Sequence, residues 1–437
     1  MKRLFWLLLA YWQTRRLHFA DRAVLRAYQA RQLEKFTRKL CRRSVYFAPY
    51  RRLPLDRWPS MDKASMLANF DTMNTAGLTL DNVMAEAQAA ERSRDFTPTV
   101  AGITVGLSSG TSAQRGAFAV SDREKARWAG ILLAKALPDG LLAGERAALF
   151  LRANSNLYTA VRSRWLSLRF FDLFLPFETH IAALQAYRPT IIVAPAQVLR
   201  ELAVAVLAGR LALHPRPKRV ISVAEVLEPQ DRALIERAFG PMHQVYQATE
   251  GFLASTCEHG VLHLNEEFVH IEPEWLDGDQ RRFVPVITDF SRLTQPIVRY
   301  RLGDVLAARA TPCACGRVTR AIDHIEGRCD DMLHLPGADG KPMPVFADAL
   351  SRALAQSLPA DADYRLLQTG ASSLTLHAQL TAPALQAVRA HLNAALAQLG
   401  VATSALSWTL SRDVPAFDPT QKRRRIRKLA FEGGGHA

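Results

Sequence analysis

Thr190-Ile191-Ile192-Val193-Ala194, then Pro195 to Leu207, then Arg219-Val220-Ile221-Ser222-Val223, read as one unit: an apolar β-branched run, an amphipathic helix and a second apolar run. Runs that are apolar at every position suit strands buried on both faces, and the helices between them supply the cover. The same texture extends outward. Thr99-Val100 to Val105 reads as an earlier strand and Gln230 to Phe239 as a later helix, so the expected fold class is α/β with a covered, largely parallel sheet. Residues 1–95 read as helices and loops, punctuated by Pro54 and Pro59, with Pro98 just beyond. After Asp331 the pattern becomes a small α+β unit: helix Val345 to Leu358, alternating strand Leu374 to Leu380, helix Pro383 to Leu399 and strand Leu406 to Leu410. The expectation is a large N-terminal α/β domain of layered sheets and helices over residues 1–328, with a helical segment at 1–95, and a small α+β C-terminal domain over 329–437.

A chain of 437 residues with 49% hydrophobic content exceeds what one core usually holds, which favours two domains. The net charge of +15 attracts polyanions. No zinc-finger spacing, helix-turn-helix signature or aromatic-glycine pattern of an RNA-binding sheet accompanies it, so nucleic acid is set aside as the main partner. A basic surface equally suits ATP, the phosphates of coenzyme A or an acidic carrier protein. Met1-Lys2-Arg3 followed by Phe5-Trp6-Leu7-Leu8-Leu9-Ala10-Tyr11-Trp12 is shorter than the about 20 apolar residues a bilayer helix needs. No small-residue cleavage site follows, and Arg15, Arg16, Arg22 and Arg26 continue an amphipathic pattern. Two readings stay open: a helix packed on the body, or weak peripheral membrane contact through Phe5, Trp6 and the arginines. Five cysteines are few, and odd in number, for a disulfide scaffold, which points to a reducing compartment with cytoplasm as the default.

Several short motifs carry the chemistry. Ser108-Ser109-Gly110-Thr111-Ser112 lies in a Gly/Ser/Thr segment, 106–116, before a helix that starts near the capping box Ser121-Asp122-Arg123-Glu124. Such a loop offers backbone N–H and hydroxyl donors to phosphate oxygens, although it lacks the Gly-Lys-Ser/Thr end of a Walker loop. Tyr246-Gln247-Ala248-Thr249-Glu250, Pro296 to Asp304 ending in Arg301-Leu302-Gly303-Asp304, and Gly327-Arg328-Cys329-Asp330-Asp331 follow in that order. Lys422 sits in the basic run that continues to Lys428. Cys257 and His263, with Cys313 and Cys315, could form a closed tetrahedral site for structural zinc, or remain ordinary reduced side chains.

In order and separation these motifs resemble the adenylate-forming (AMP-binding) superfamily, whose members join a carboxylate to AMP. The nearer likeness is to the phenylacetate-CoA ligase branch, which includes the synthetases that adenylate a deazaflavin coenzyme. The resemblance implies that the small domain is a lid hinged at Asp330, and that Ser108 to Ser112 and Arg115 meet phosphate. It further implies that Tyr246 lies near adenine, Thr249 meets the α-phosphate, Glu250 helps hold Mg2+, Asp304 accepts both ribose hydroxyls, Arg328 lies near ribose or phosphate, and Lys422 closes over the reacting carboxylate. Some relatives in that branch carry a similar cysteine and histidine set. The implied reaction is activation of a carboxylic acid by ATP with release of pyrophosphate, then acyl transfer to coenzyme A or to the phosphopantetheine thiol of an acyl carrier protein. Departures from the pattern are Gln114-Arg115 where a lysine is usual, Gln247 and Gln421 where glycines are usual, and Val223-Ala224-Glu225 in place of Gly-Glu-Pro. Phe170, Phe171, Phe174 and Phe177 suggest an aromatic or other apolar acid, or a core. Two other readings remain: an adenylyltransferase that stops at AMP transfer, and a non-catalytic nucleotide-binding or membrane-associated scaffold.

Overall fold

The computed structural model describes residues 2–107, 115–151, 166–329, 332–359, 361–415 and 424–429. The chain opens with helices α1 (Lys2–Arg16), α2 (Arg22–Leu40), α3 (Lys63–Ala68), α4 (Phe70–Met73) and α5 (Leu80–Ser93). A hairpin, β1 (Thr104–Leu107) and β2 (Ala117–Val120), leads into α6 (Asp122–Ala136). The body continues through β3 (Glu145–Leu151), β4 (Leu166–Asp172), α7 (Phe177–Tyr187), β5 (Ile191–Ala194), α8 (Ala196–Leu207), β6 (Arg219–Ser222), α9 (Pro229–Phe239) and β7 (His243–Ala248). A meander follows: β8 (Gly251–Thr256), β9 (Leu262–Leu264), β10 (Val269–Trp275), β11 (Arg282–Asp289), β12 (Tyr300–Arg301), β13 (Asp304–Ala308) and β14 (Ala321–Arg328).

These strands from β3 onward form one twelve-stranded sheet, ordered β10-β11-β13-β14-β9-β8-β7-β6-β5-β3-β4 with β12 on β11. The expectation of a largely parallel sheet holds for half of it. Strands β4, β3, β5, β6 and β7 pair in parallel, whereas every pairing from β7 through β8 to β10 is antiparallel. The reason is covalent: only Thr249 and Glu250 join β7 to β8, and so short a turn permits only an antiparallel neighbour. A second difference is β2, where the sequence suggested a loop running straight into α6; its four residues are too few to stand out as a strand.

Alternation along the parallel strands divides the core. Ala147, Leu149, Ile191 and Ile221 pack under α1 and α6, while Ala148, Phe150, Ile192 and Val220 pack under α8 and α9. Helix α1 lies so close to α6 that a Cβ on Gly130 would collide with the Leu7 carbonyl oxygen. The capping box expected at the start of α6 is present: Ser121 accepts from the Glu124 amide, and Glu124 accepts from the Ser121 amide.

The small domain comprises β15 (Leu333–Pro336), β16 (Pro342–Val345), α10 (Ala347–Ser357), β17 (Tyr364–Gln368), β18 (Ser373–Ala378), α11 (Ala382–Gln398), β19 (Ser407–Ser411) and β20 (Ile426–Lys428). Its four-stranded sheet, ordered β19-β18-β17-β20, and two helices enclose a separate core that runs from Leu333 to Ile426. A buried polar cluster fastens it to the large domain. Arg425, with its side chain 2% exposed, donates to Glu228 Oε2 at 2.6 Å and to both oxygens of Asp231 at 2.9 and 3.0 Å. The Tyr364 hydroxyl donates to the same Glu228 at 2.8 Å, and Gln230 donates to the Pro359 carbonyl at 2.6 Å. Arg200 spans the same boundary, contacting Asp231 and the Asp361 carbonyl.

Breaking one partner of a buried pair leaves the other charge uncompensated. Arg425→Met is therefore expected to lower unfolding free energy by about 3–5 kcal/mol, read by urea denaturation, with the small domain becoming the first target of limited proteolysis. A loss below about 1 kcal/mol would show that Glu228 and Asp231 are satisfied without Arg425.

Candidate active site

The turn Thr249-Glu250 caps the carboxyl end of β7, the strand shared by the parallel and antiparallel halves of the sheet. In open α/β sheets, ligands gather outside the carboxyl ends of the parallel strands. Here that end is polar. Tyr246 is buried, and its hydroxyl donates to Asp304 Oδ2 at 2.5 Å. Burial first, then the Asp304 and Glu250 carboxylates, push the Tyr246 pKa well above its ordinary value, so the phenol stays a donor. Tyr300 behaves alike: burial and the facing Glu250 carboxylate raise its pKa.

Asp304 opens β13 and lies opposite Arg328, the last residue of β14. The Arg328 guanidinium passes over Gly303, where a Cβ would stand 2.8 Å from Nη2, so any larger residue there would push the guanidinium aside. The Cys329 amide donates to the Gly303 carbonyl at 2.7 Å, which closes the strand pair beside the site. Arg292 donates to the Thr249 carbonyl at 2.7 Å and fixes the turn from below. The fold thus brings Tyr246, Thr249, Glu250, Asp304 and Arg328 together from three separate motifs. Tyr300 and Arg292 join them without having been singled out in the sequence. Tyr300 lies inside the quoted motif and could have been found there; Arg292 carries no local signal.

Other expected residues fall elsewhere or outside. Ser108, Ser109, Gly110, Thr111 and Ser112, the hinge residue Asp330, and Lys422 lie outside the described residues. Arg115 forks onto Glu91 of α5 with two bonds of 2.6 Å, so a phosphate would have to compete with that carboxylate. Arg299 and Arg301 are structural: Arg299 donates to the Asp56 and Trp58 carbonyls, and Arg301 forks onto Glu274. Two of the phenylalanines are engaged in other contacts. Phe171 stacks on Phe150 at 4.7 Å in the core, and Phe174 is exposed with Arg94 over its ring.

Cys257, His263, Cys313 and Cys315 do converge, with one ligand atom from each lying within 4.8 Å of all the others. Cys257 Sγ stands 3.7 Å from Cys313 Sγ, and Cys315 Sγ stands 3.3 Å from His263 Nε2. Ligands of one tetrahedral zinc ion stand roughly 3.3–3.8 Å apart, given bonds of 2.0–2.3 Å. His263 Nδ1 lies 3.2 Å from the Thr319 carbonyl, which orients the ring with Nε2 toward the thiols. The residues present therefore fit a structural ion.

No family model matches the chain, and no curated protein matches its sequence. Solved structures do match. A 2-hydroxyisobutyryl-CoA ligase in the postadenylation state with 2-HIB-AMP superposes with a TM-score of 0.65 at 17% identity, covering 94% of this chain and 90% of that one. The fold is that of adenylate-forming ligases. The same ligase in its thioesterification state with 2-HIB-AMP and CoA gives a TM-score of 0.50 at 18% identity, over 93% and 89% of the two chains. An amide bond synthetase from Marinactinospora thermotolerans gives 0.52 at 14% identity, over 74% and 68%.

In this ligase fold, β14 carries Arg328 at its end and His324 nearer its middle. His324 Nε2 lies 3.0 Å from Asp348 of α10, across the domain boundary, and 3.7 Å from Glu326. Burial opposes charge on the imidazole, but the two carboxylates outweigh it and push the pKa up to about 9. A pKa raised on folding gives stability that is complete below the unfolded value, near 6.5, and lost as pH climbs through about 9. The thermal midpoint is therefore expected to fall between pH 6.5 and 9 more steeply in the wild type than in His324→Gln; parallel profiles would remove His324 from the boundary's energetics.

Proposed function

We propose that this chain activates a small carboxylic acid as its acyl adenylate, using magnesium-ATP and releasing pyrophosphate, and then passes the acyl group to the thiol of coenzyme A or of a carrier-protein phosphopantetheine. The observation that carries this reading is the convergence of Tyr246, Glu250, Asp304 and Arg328 at the carboxyl end of β7. In the first half-reaction an oxygen of the acid attacks the α-phosphorus. The bond to the bridging oxygen breaks, and its electron pair leaves with pyrophosphate. No protein nucleophile and no proton transfer is required, so catalysis comes from positioning and charge.

The residues suit that task. Glu250 supplies the hard oxygen that the nucleotide's magnesium prefers. Asp304 has one oxygen held by Tyr246, which leaves acceptor capacity on the other for ribose hydroxyls. Arg328 places a permanent cation beside the same carboxylate. Lys422, carried over from the motif order, would neutralise charge that grows on the α-phosphate. Phe171 and Phe174 are engaged elsewhere, so these two rings lend no support to an aromatic acid.

Acid-dependent exchange of labelled pyrophosphate into ATP, run over a panel of small acids, tests this. Glu250→Gln and Lys422→Ala are each expected to lower the exchange rate by about a hundredfold or more, and Asp304→Ala to raise the KM for ATP. Absence of exchange with every acid, despite measurable ATP binding, would favour a non-catalytic nucleotide binder instead.

We also assign structural zinc to Cys257, His263, Cys313 and Cys315, because four closed ligands leave no open position for chemistry. Elemental analysis is expected to find one zinc per chain, lost in Cys315→Ser together with thermal stability. A metal-free wild type of unchanged stability would make these thiols ordinary reduced side chains.

A further inference from the structure

Helix α1 covers the large domain with one face and presents an unusual second face. Leu7, Ala10 and Tyr11 are buried, whereas Leu4, Phe5, Leu8 and Trp12 are 57%, 59%, 36% and 54% exposed. At 100° per residue, these four side chains fall within one outward stripe. The stripe is bordered by Lys2, Arg15 and Arg16, while Arg3 turns toward α6, and α1 contains no acidic residue. An apolar and aromatic ridge set among cations is what an interfacial helix presents to a bilayer.

A second feature adjoins it. Between α2 and the start of α6 lies a cavity of about 510 Å³, lined by Lys35, Lys39, Arg42, Arg43, Arg123 and Arg127. None of these six cations has an ion-pair partner among the described residues. The carboxylate lining the cavity, Glu124, is already taken by the Leu293 and Thr294 amides and by Ser121. The cavity and α1 share an anchor. Arg123 lines the cavity and also lies over the Trp6 ring at 3.9 Å, and Arg3 pairs with the neighbouring Asp122. Trp6 and Arg3 stand on the flank of α1 turned about 100° or more from the ridge, so the cleft adjoins the N-terminal end of the helix rather than the ridge itself.

We propose that this surface docks the protein peripherally on an anionic phospholipid bilayer: the α1 ridge enters the headgroup boundary and the adjoining cleft takes lipid phosphates. Charge complementarity selects this occupant, because Lys2, Arg15 and Arg16 border the ridge and the cleft at the same end of the helix is lined by cations. No described helix is long and apolar enough to cross a membrane, so the contact is one of surface attachment. The proposal does not depend on the chemistry of the adenylate site.

The test is cosedimentation of the full chain with sucrose-loaded vesicles of phosphatidylcholine alone or with phosphatidylglycerol. Binding is expected only with the anionic lipid and is expected to weaken with salt. Phe5→Glu with Trp12→Glu, and separately Lys39→Glu with Arg43→Glu, are each expected to reduce it at least about tenfold, while circular dichroism and nucleotide binding stay unchanged. Pyrophosphate serves as the free-phosphate probe and is expected to compete weakly. Equal binding to neutral vesicles, no binding at all, or full competition by pyrophosphate would overturn the proposal. So would a self-association that the ridge variant abolishes while vesicle binding persists.

Discussion

One strand has to satisfy two kinds of neighbour. The backbone of β7 bonds in parallel to β6 on one edge and antiparallel to β8 on the other. The first pairing is imposed by the α9 crossover, the second by a two-residue turn. Both constraints meet at Thr249-Glu250. A polar turn at the carboxyl end of a parallel strand is exposed to a ligand, and the antiparallel half then supplies Tyr300, Asp304 and Arg328 from strands that no crossover could have placed there. The irregular register between Tyr246 and Gln247 lies at the same point, where Trp128 of α6 donates to Gln247 at 3.0 Å. Gln247, which departs from the expected glycine, thus has a structural use.

The electrostatics of the site are those of neutral donors set between charges. Tyr246 and Tyr300 are both buried next to carboxylates, and both causes act in the same direction to keep their protons. A protonated phenol satisfies a carboxylate without cancelling its charge.

Legibility in the sequence followed how far apart the interacting parts are. Strands buried on both faces announce themselves: Thr190 to Ala194 is observed as Ile191–Ala194, and the helix from Val345 to Leu358 as Ala347–Ser357. The antiparallel meander was not legible, because β9 has three residues and β12 two, too few to show alternation. Cysteine and histidine types suggested a metal, but their proximity arises from pairing of β9 with β14, where His263 faces Ala321. The Cys313 and Cys315 loop hangs from that pairing. Arg425 was hidden in a different way. It sits in a run of cations that composition reads as a solvated tail, and nothing local distinguishes the one whose partners, Glu228 and Asp231, lie almost 200 residues earlier.

That hidden residue bears on how the small domain works. Burying several charges at a boundary is an inefficient source of stability, since desolvation offsets most of the attraction, and apolar packing would serve as well. What a buried ion cluster adds is selectivity for one geometry: Arg425 satisfies Glu228 and Asp231 together only when β20 lies where it does. If the small domain is to turn for acyl transfer, Arg425, Tyr364 and Gln230 must all exchange their partners for water. The cluster is rich in hydrogen bonds and its carboxylates hydrate well once exposed, so separation costs far less than it would for unsatisfied charges held in the interior. A polar boundary of this kind holds one pose firmly and still permits release, whereas a continuous apolar core would fuse the two domains.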